Sequence, residues 1–239
     1  MRVSRIFRTA EREFPDPYFR RLRSLVIGEG MLKESNIFLM DLAVRHMPSE
    51  GSAVEIGAYG GLSSLVILHL LKKHNRANGF FNCDAWIYEG YANPGGNSSE
   101  MIDGREDVHR RDFGNYMKQA YVNAMQLLSP SDLPHTFHLR SDDFFRYWNA
   151  NTMHLDIFGR EVLLGGPISF AYIDGDHSFE QSVADFENVA RSICRGGFIL
   201  LDDSADNYTY GSAGMTRIIR RDKRFVIVNK DHNYLLKRV

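Results

Sequence analysis

A doubly wound α/β fold with a mostly parallel sheet is predicted by three features of the 239-residue sequence. Short apolar strands alternate with amphipathic helices, the first strand runs into a glycine-rich turn, and later strands end on aspartates. Ligands of such sheets bind at the carboxyl ends of the strands, so the turn and the aspartates are the candidate working parts. Composition agrees: 44% apolar and 25% charged residues lie near the globular average, which excludes disordered, collagen-like and coiled-coil classes.

Residues 36–47 read as a helix with Ser35 as N-cap, stopped by Pro48-Ser49-Glu50-Gly51. The strand Ala53-Val54-Glu55-Ile56 then enters Gly57-Ala58-Tyr59-Gly60-Gly61, and Ser63 can cap the helix that Leu65, Val66, Leu68 and Leu71 carry to Lys73. Residues 80–85 form the second strand. Periodicity fails over 88–112, where Gly90, Pro94, Gly95 and Gly96 mark a long loop. Its Tyr88, Tyr91 and Met101 carry more apolar surface than a plain linker, so a substrate-covering lid is expected. A helix over 116–128 leads to a strand over 136–140, and residues 155–164 read as a hairpin turning at Phe158-Gly159.

The strand over 169–173 ends in Asp174-Gly175-Asp176-His177. Ser178 and Gln181 form a capping box for a helix that buries Phe179, Val183, Phe186, Val189 and Ile193 and stops at Gly196-Gly197. The strand over 198–201 ends in Asp202-Asp203. After a helix around 215–221, strands over 225–228 and 234–237 make a closing antiparallel hairpin. That hairpin stands where a dinucleotide-binding sheet would continue with a helix and a parallel strand, which disfavours an NAD-dependent oxidoreductase.

The formal net charge of −1 offers no long-range field for phosphate backbones, so nucleic acid is not an expected partner. Cys83 and Cys194 have no CxxC pairing, which excludes a cysteine-rich zinc site and a disulfide scaffold and suggests a reducing compartment; a bridge between the two stays open. The longest apolar run, residues 65–71, is interrupted by His69 and far shorter than the ~20 residues of a membrane span. Arg2, Arg5, Arg8 and Arg12 are interrupted by Glu11 and Glu13 with no apolar region after them, unlike an export signal. The expectation is a cytoplasmic protein with a helical arm over 1–33, able to dock on a second copy, and one domain over 34–239.

Glycines at 57 and 60 let backbone approach a ligand closely, and Glu55 could meet a cationic or hydroxyl group where a pyrophosphate would be repelled. Asp84 ends the second strand, where an acid can bind ribose hydroxyls. Asp142 could accept from an adenine amine, as could Asp143. Asp174, Asp202 and Asp203 end neighbouring strands about 4.8 Å apart. Two carboxylates ~4 Å apart repel by about 4 kcal/mol at an effective dielectric near 20, so their convergence demands a proton or a cation, and an all-oxygen set suits Mg²⁺. His177 is either a general base or simply the residue before the Ser178 cap.

Glu55-x-Gly57-x-x-Gly60-Gly61-x-Ser63, Ile173-Asp-Gly-Asp-His-Ser178 and Gly196-Gly197 leading to Leu201-Asp-Asp203 together resemble the class I S-adenosylmethionine-dependent methyltransferases. The likeness is to the small-molecule O-methyltransferases similar to macrocin and rhamnosyl O-methyltransferases, near the cephalosporin hydroxylase-like group. It implies a seven-stranded, Rossmann-like sheet ending in the antiparallel hairpin, with S-adenosylmethionine bound by Glu55, Gly57, Ala58, Tyr59, Gly60, Ser63, Asp84, Asp142 and Asp174. It also implies Mg²⁺ on Asp174, Asp202 and Asp203, Asp174 or His177 as the base, and a small-molecule hydroxyl as acceptor. A non-catalytic cofactor-binding module of the same fold is the alternative. The run after Trp86 is longer than the family's pattern, which leaves the acceptor the least determined part.

Overall fold

A computed structural model describes residues 16–19, 30–87, 110–208 and 211–239. The expected lid falls almost wholly outside the described residues. The elements are α1 (Glu34–His46), β1 (Ser52–Ile56), α2 (Leu62–Lys73), β2 (Phe80–Asp84), α3 (Arg110–Leu128), β3 (His135–His138), α4 (Ser141–Ala150), β4 (Met153–Leu155), β5 (Glu161–Leu163), β6 (Ile168–Ile173), α5 (Phe179–Ser192), β7 (Ile193–Leu201), α6 (Gly211–Ile219), β8 (Phe225–Asp231) and β9 (Asn233–Arg238).

Seven strands form one sheet in the order β3-β2-β1-β6-β7-β9-β8. The first five are parallel, and β9 runs antiparallel to both β7 and β8. The predicted doubly wound sheet with its closing hairpin is therefore present. The period-2 alternation of the strands builds two cores. Ala53, Phe170, Tyr172, Phe198 and Leu200 face α1, α2 and α3, whereas Val54, Ile56, Ala171, Ile173, Ile199 and Leu201 face α4, α5 and α6. Chain order reverses direction between β1 and β6, which opens the switch-point crevice at their carboxyl ends.

Several boundaries differ from the sequence reading. Helix α5 ends at Ser192, and Gly196-Gly197 lie inside a longer β7, where Gly196 adopts φ +83. Phe179 is 42% exposed instead of core, because it opens α5 and lies against the start of α6: a Cβ on Gly211 would stand 2.0 Å from the Phe179 nitrogen. Ser178 caps α5 by accepting from the Gln181 N–H, but the Gln181 side chain turns to Ser141 and Asp185, so the box closes on one side. The 155–164 hairpin is present as β4 and β5, turning through Gly159. Cys83 and Cys194 are both free thiols. Of the N-terminal arm, Tyr18 stacks on His69 of α2 at 4.1 Å, and Asp16 binds His69 and Lys73. Among the described residues no helix is long and apolar enough to cross a membrane.

Candidate active site

The turn after β1 is locked by backbone geometry. Gly57 has φ +86, and a Cβ there would stand 2.0 Å from the Asp174 carbonyl oxygen, so only glycine lets β1 and β6 emerge side by side. The rim is stitched by Gly57 N–H to Cys83 O (3.0 Å), Asp174 N–H to Ile56 O (2.8 Å) and Asp202 N–H to Ile173 O (2.9 Å).

Asp84 clamps this turn. Its Oδ2 accepts from the N–H groups of Ala58 (2.8 Å) and Tyr59 (2.7 Å), and its Oδ1 from the Trp86 N–H (2.6 Å). The Trp86 indole then donates to the Tyr59 carbonyl at 2.9 Å, and both Tyr59 and Trp86 sit at φ +46. Two non-glycine residues in the left-handed region are held there by these bonds, which is how strain is commonly stored beside ligand sites. Burial raises the Asp84 pKa against the three N–H donors that favour its charged form.

Glu55 lies beneath the turn, fully buried, and faces the helices. Its Oε2 accepts from the Ser64 hydroxyl and from Asn82 (3.1 Å), and Asn82 continues to Tyr121 (2.8 Å), whose hydroxyl meets Thr136 (2.8 Å). Burial pushes the Glu55 pKa up to about 7, with Ser63, Ser64 and Asn82 opposing. Ser63 was expected as the cap of α2; the N-cap is instead Gly61 at φ +95, with no side-chain cap, and Ser64 is the serine that donates to Glu55. Helix α2 thus opens with no side-chain cap and no acid in its first turn, a combination that suits a bound carboxylate. Asp142 is exposed in the first turn of α4 and accepts from Asn188 of α5 at 3.2 Å.

The three strand-end aspartates do come to one rim, but protein groups already contact both oxygens of Asp202 and of Asp203 and one of Asp174. Asp202 Oδ1 accepts from Asn36 (2.8 Å), Asn233 (2.5 Å) and the Asp203 N–H (2.8 Å); its Oδ2 accepts from the Tyr172 hydroxyl at 2.7 Å. The same hydroxyl lies 3.0 Å from Asp174 Oδ2. One hydroxyl proton cannot serve two carboxylates. Burial and the adjacent Asp202 push Asp174 well above the usual carboxylate range. Asp203, at φ +46, pairs through Oδ1 with the Lys33 ammonium (3.3 Å) and through Oδ2 with His177 Nε2 (3.4 Å). Lys33 also donates to the Tyr208 hydroxyl and lies 4.3 Å over that ring.

This donor set does not fit the expected Mg²⁺. A divalent ion needs several oxygen lone pairs aimed at one point. Those of Asp202 are spent on two amides, a backbone N–H and a phenol, Asp174 Oδ2 lies 3.0 Å from the Tyr172 hydroxyl, and Asp203 holds an ammonium. Among the described residues no three His, Cys, Asp or Glu side chains are grouped to hold a metal ion. A cation does stand at the cluster: the Lys33 ammonium, 3.3 Å from Asp203 Oδ1. Sequence reasoning missed Lys33, Asn36, Tyr172, Tyr208 and Asn233. Asn36 and Asn233 are polar residues at fully buried positions, and a polar residue on an otherwise apolar helix face was the available signal.

Comparison with known proteins bears on the same segment. Residues 54–204, more than half the chain and spanning the turn through the aspartates, match the family model described as a methyltransferase domain. No curated protein matches the chain in sequence. Among solved structures, the chain is similar to an O-methyltransferase from Bacillus cereus in complex with SAH, with 13% identity, TM-score 0.53, and 92% of this chain and 89% of that one covered. It is similar to the O-methyltransferase TomG from Streptomyces achromogenes in complex with SAM (12% identity, TM-score 0.52, 95% and 91% covered) and to a putative O-methyltransferase from Klebsiella pneumoniae (13% identity, TM-score 0.54, 94% and 90% covered). At these identities the likeness is one of fold.

Proposed function

The chain belongs to the methyltransferase-domain family, and from that premise we propose that it transfers the methyl group of S-adenosylmethionine to a hydroxyl of a small molecule. The observation that carries this reading is the sheet order, which puts the turn into an uncapped helix after β1 and the His177–Asp203 pair after β6 and β7 at the carboxyl ends of consecutive strands. Neighbours of the same fold are O-methyltransferases that bind SAM or SAH, which supports both the cofactor and oxygen as the acceptor atom.

The first-turn amides of α2, beyond Gly60 and Gly61, would take the carboxylate of the methionine part, and Glu55 fixes them from below through Ser64. Asp84 Oδ1, which takes one N–H donor, would accept from a ribose hydroxyl, and Asp142 would face the adenine amine. S-adenosylmethionine supplies a methyl carbon on a sulfonium, whose S–C bond breaks as the new bond to the acceptor oxygen forms, leaving a neutral thioether. His177 takes the hydroxyl proton. Asp203 lies beside its Nε2, which orients the ring and stabilises the imidazolium as the proton arrives. Asp174 stays engaged with Tyr172 and anchors the turn rather than moving a proton. The remaining catalysis is positioning, which the locked rim provides.

The test is transfer of labelled methyl from S-adenosylmethionine to a panel of phenols, glycosides and amines, with products identified by mass. Methyl ethers are expected. His177→Gln should lower kcat by roughly 10²–10⁴ with cofactor affinity within a few fold. N-methylated products, or full activity in the variant, would contradict the assignment.

A further inference from the structure

We propose that Lys33 is the resident cation of the acceptor side, standing where a divalent ion would otherwise be needed, so that this site works without a metal and receives the acceptor oxygen on an ammonium N–H. The proposal rests on the methyltransferase reading of the crevice.

Four observations carry it. First, both oxygens of Asp202, the buried centre of the cluster, are committed to protein donors, and among the described residues no three His, Cys, Asp or Glu side chains are grouped to hold a metal ion. Second, the cluster is still acidic and needs a counter-charge, and Lys33 Nζ provides it 3.3 Å from Asp203 Oδ1. Third, Lys33 is placed for this from outside the sheet. It immediately precedes α1, whose buried Asn36 is tied to Asp202 at 2.8 Å and so anchors the helix start to the end of β7.

Fourth, an ammonium has three N–H donors, and two of those of Lys33 are engaged by Asp203 and Tyr208. Among the described residues nothing takes the third, which is available to a ligand. The side chain is 39% exposed, so it is reachable from solvent while its partners hold it in place. His177 contacts the opposite oxygen of the same Asp203 carboxylate. An acceptor hydroxyl set between Lys33 and His177 would lose its proton to the imidazole while its oxygen takes a hydrogen bond from the ammonium. The negative charge developing on that oxygen is met by a fixed cation, the service a metal would give. A single oxygen suffices for such a site, whereas chelation to an ion rewards two adjacent oxygens.

The experiment uses the full chain saturated with S-adenosylhomocysteine. Mn²⁺ is titrated and followed by electron paramagnetic resonance, and melting is recorded with Mg²⁺ and with EDTA. The wild type is expected to show no saturable Mn²⁺ site and the same melting temperature in both. Lys33→Met should lower the melting temperature by about 3 °C while Lys33→Arg restores it, as loss and return of one half-exposed cation predicts. One saturable Mn²⁺ per chain in the wild type, abolished by Asp203→Asn, would overturn the proposal; so would wild-type melting in Lys33→Met. Absence of S-adenosylhomocysteine binding would instead defeat the underlying methyltransferase reading, so the two failures are distinguishable.

Discussion

Glu55 is a carboxyl group with no contact to water, and its chemistry follows from that position. With the folded pKa near 7 and a reference value of 4.5, the folded chain binds a proton that the unfolded chain releases between those limits. Stability contributed at Glu55 therefore falls as pH rises from 4.5 to 7 and is flat beyond. The full change is roughly 3 kcal/mol. Urea unfolding of wild type and Glu55→Gln at pH 5 and pH 8 should show the variant gaining on the wild type at the higher pH. A difference independent of pH would mean that Glu55 is ionised in the fold. At this scale the sequence was legible where a residue type and a strand end coincide: Asp84, Asp174, Asp202 and Asp203 all stand on the rim. It was illegible where function depends on partners distant in the chain, as with Asn36 and Asn233, which meet although 197 positions apart. The local pattern around each says only helix and turn.

The elements around the aspartates act as one unit because asparagines splice them. Asn233, the first residue of β9, donates to Asp202 and to Asn36 of α1, and its own Oδ1 accepts from the Ser204 N–H at 3.0 Å. The closing hairpin thus does more than cover β7: it braces the rim from behind. Removing that side chain leaves Asp202 short of a donor and the Ser204 N–H unpaired, a loss of about 1–3 kcal/mol per buried group. Asn233→Ala should accordingly lower the urea midpoint with little change in the slope, while S-adenosylhomocysteine affinity stays within a few fold. An unchanged midpoint would show the splice to be dispensable. Helix α2 illustrates the limit of pattern reading. Ser63 has the chemistry of a cap, yet Gly61 takes the position, since its left-handed φ fits against Met125 and Tyr121, where a Cβ would come within 2.8 Å of the methionine methyl.

Across the whole molecule, the alternation of strands and helices predicted the doubly wound sheet, and the antiparallel β9 and β8 distinguish it from a dinucleotide-binding sheet. What alternation could not convey is how charge is balanced at the carboxyl rim. The sequence called for a cation there; the fold brings one from the segment before α1. Titration calorimetry of the full chain with S-adenosylmethionine, S-adenosylhomocysteine and NAD, each with Mg²⁺ and with EDTA, tests the central claim most directly. One saturable site per chain is predicted for the two methionine-derived ligands, indifferent to Mg²⁺ and EDTA, with no response to NAD. Saturable binding of NAD without any response to S-adenosylmethionine or S-adenosylhomocysteine would contradict the account.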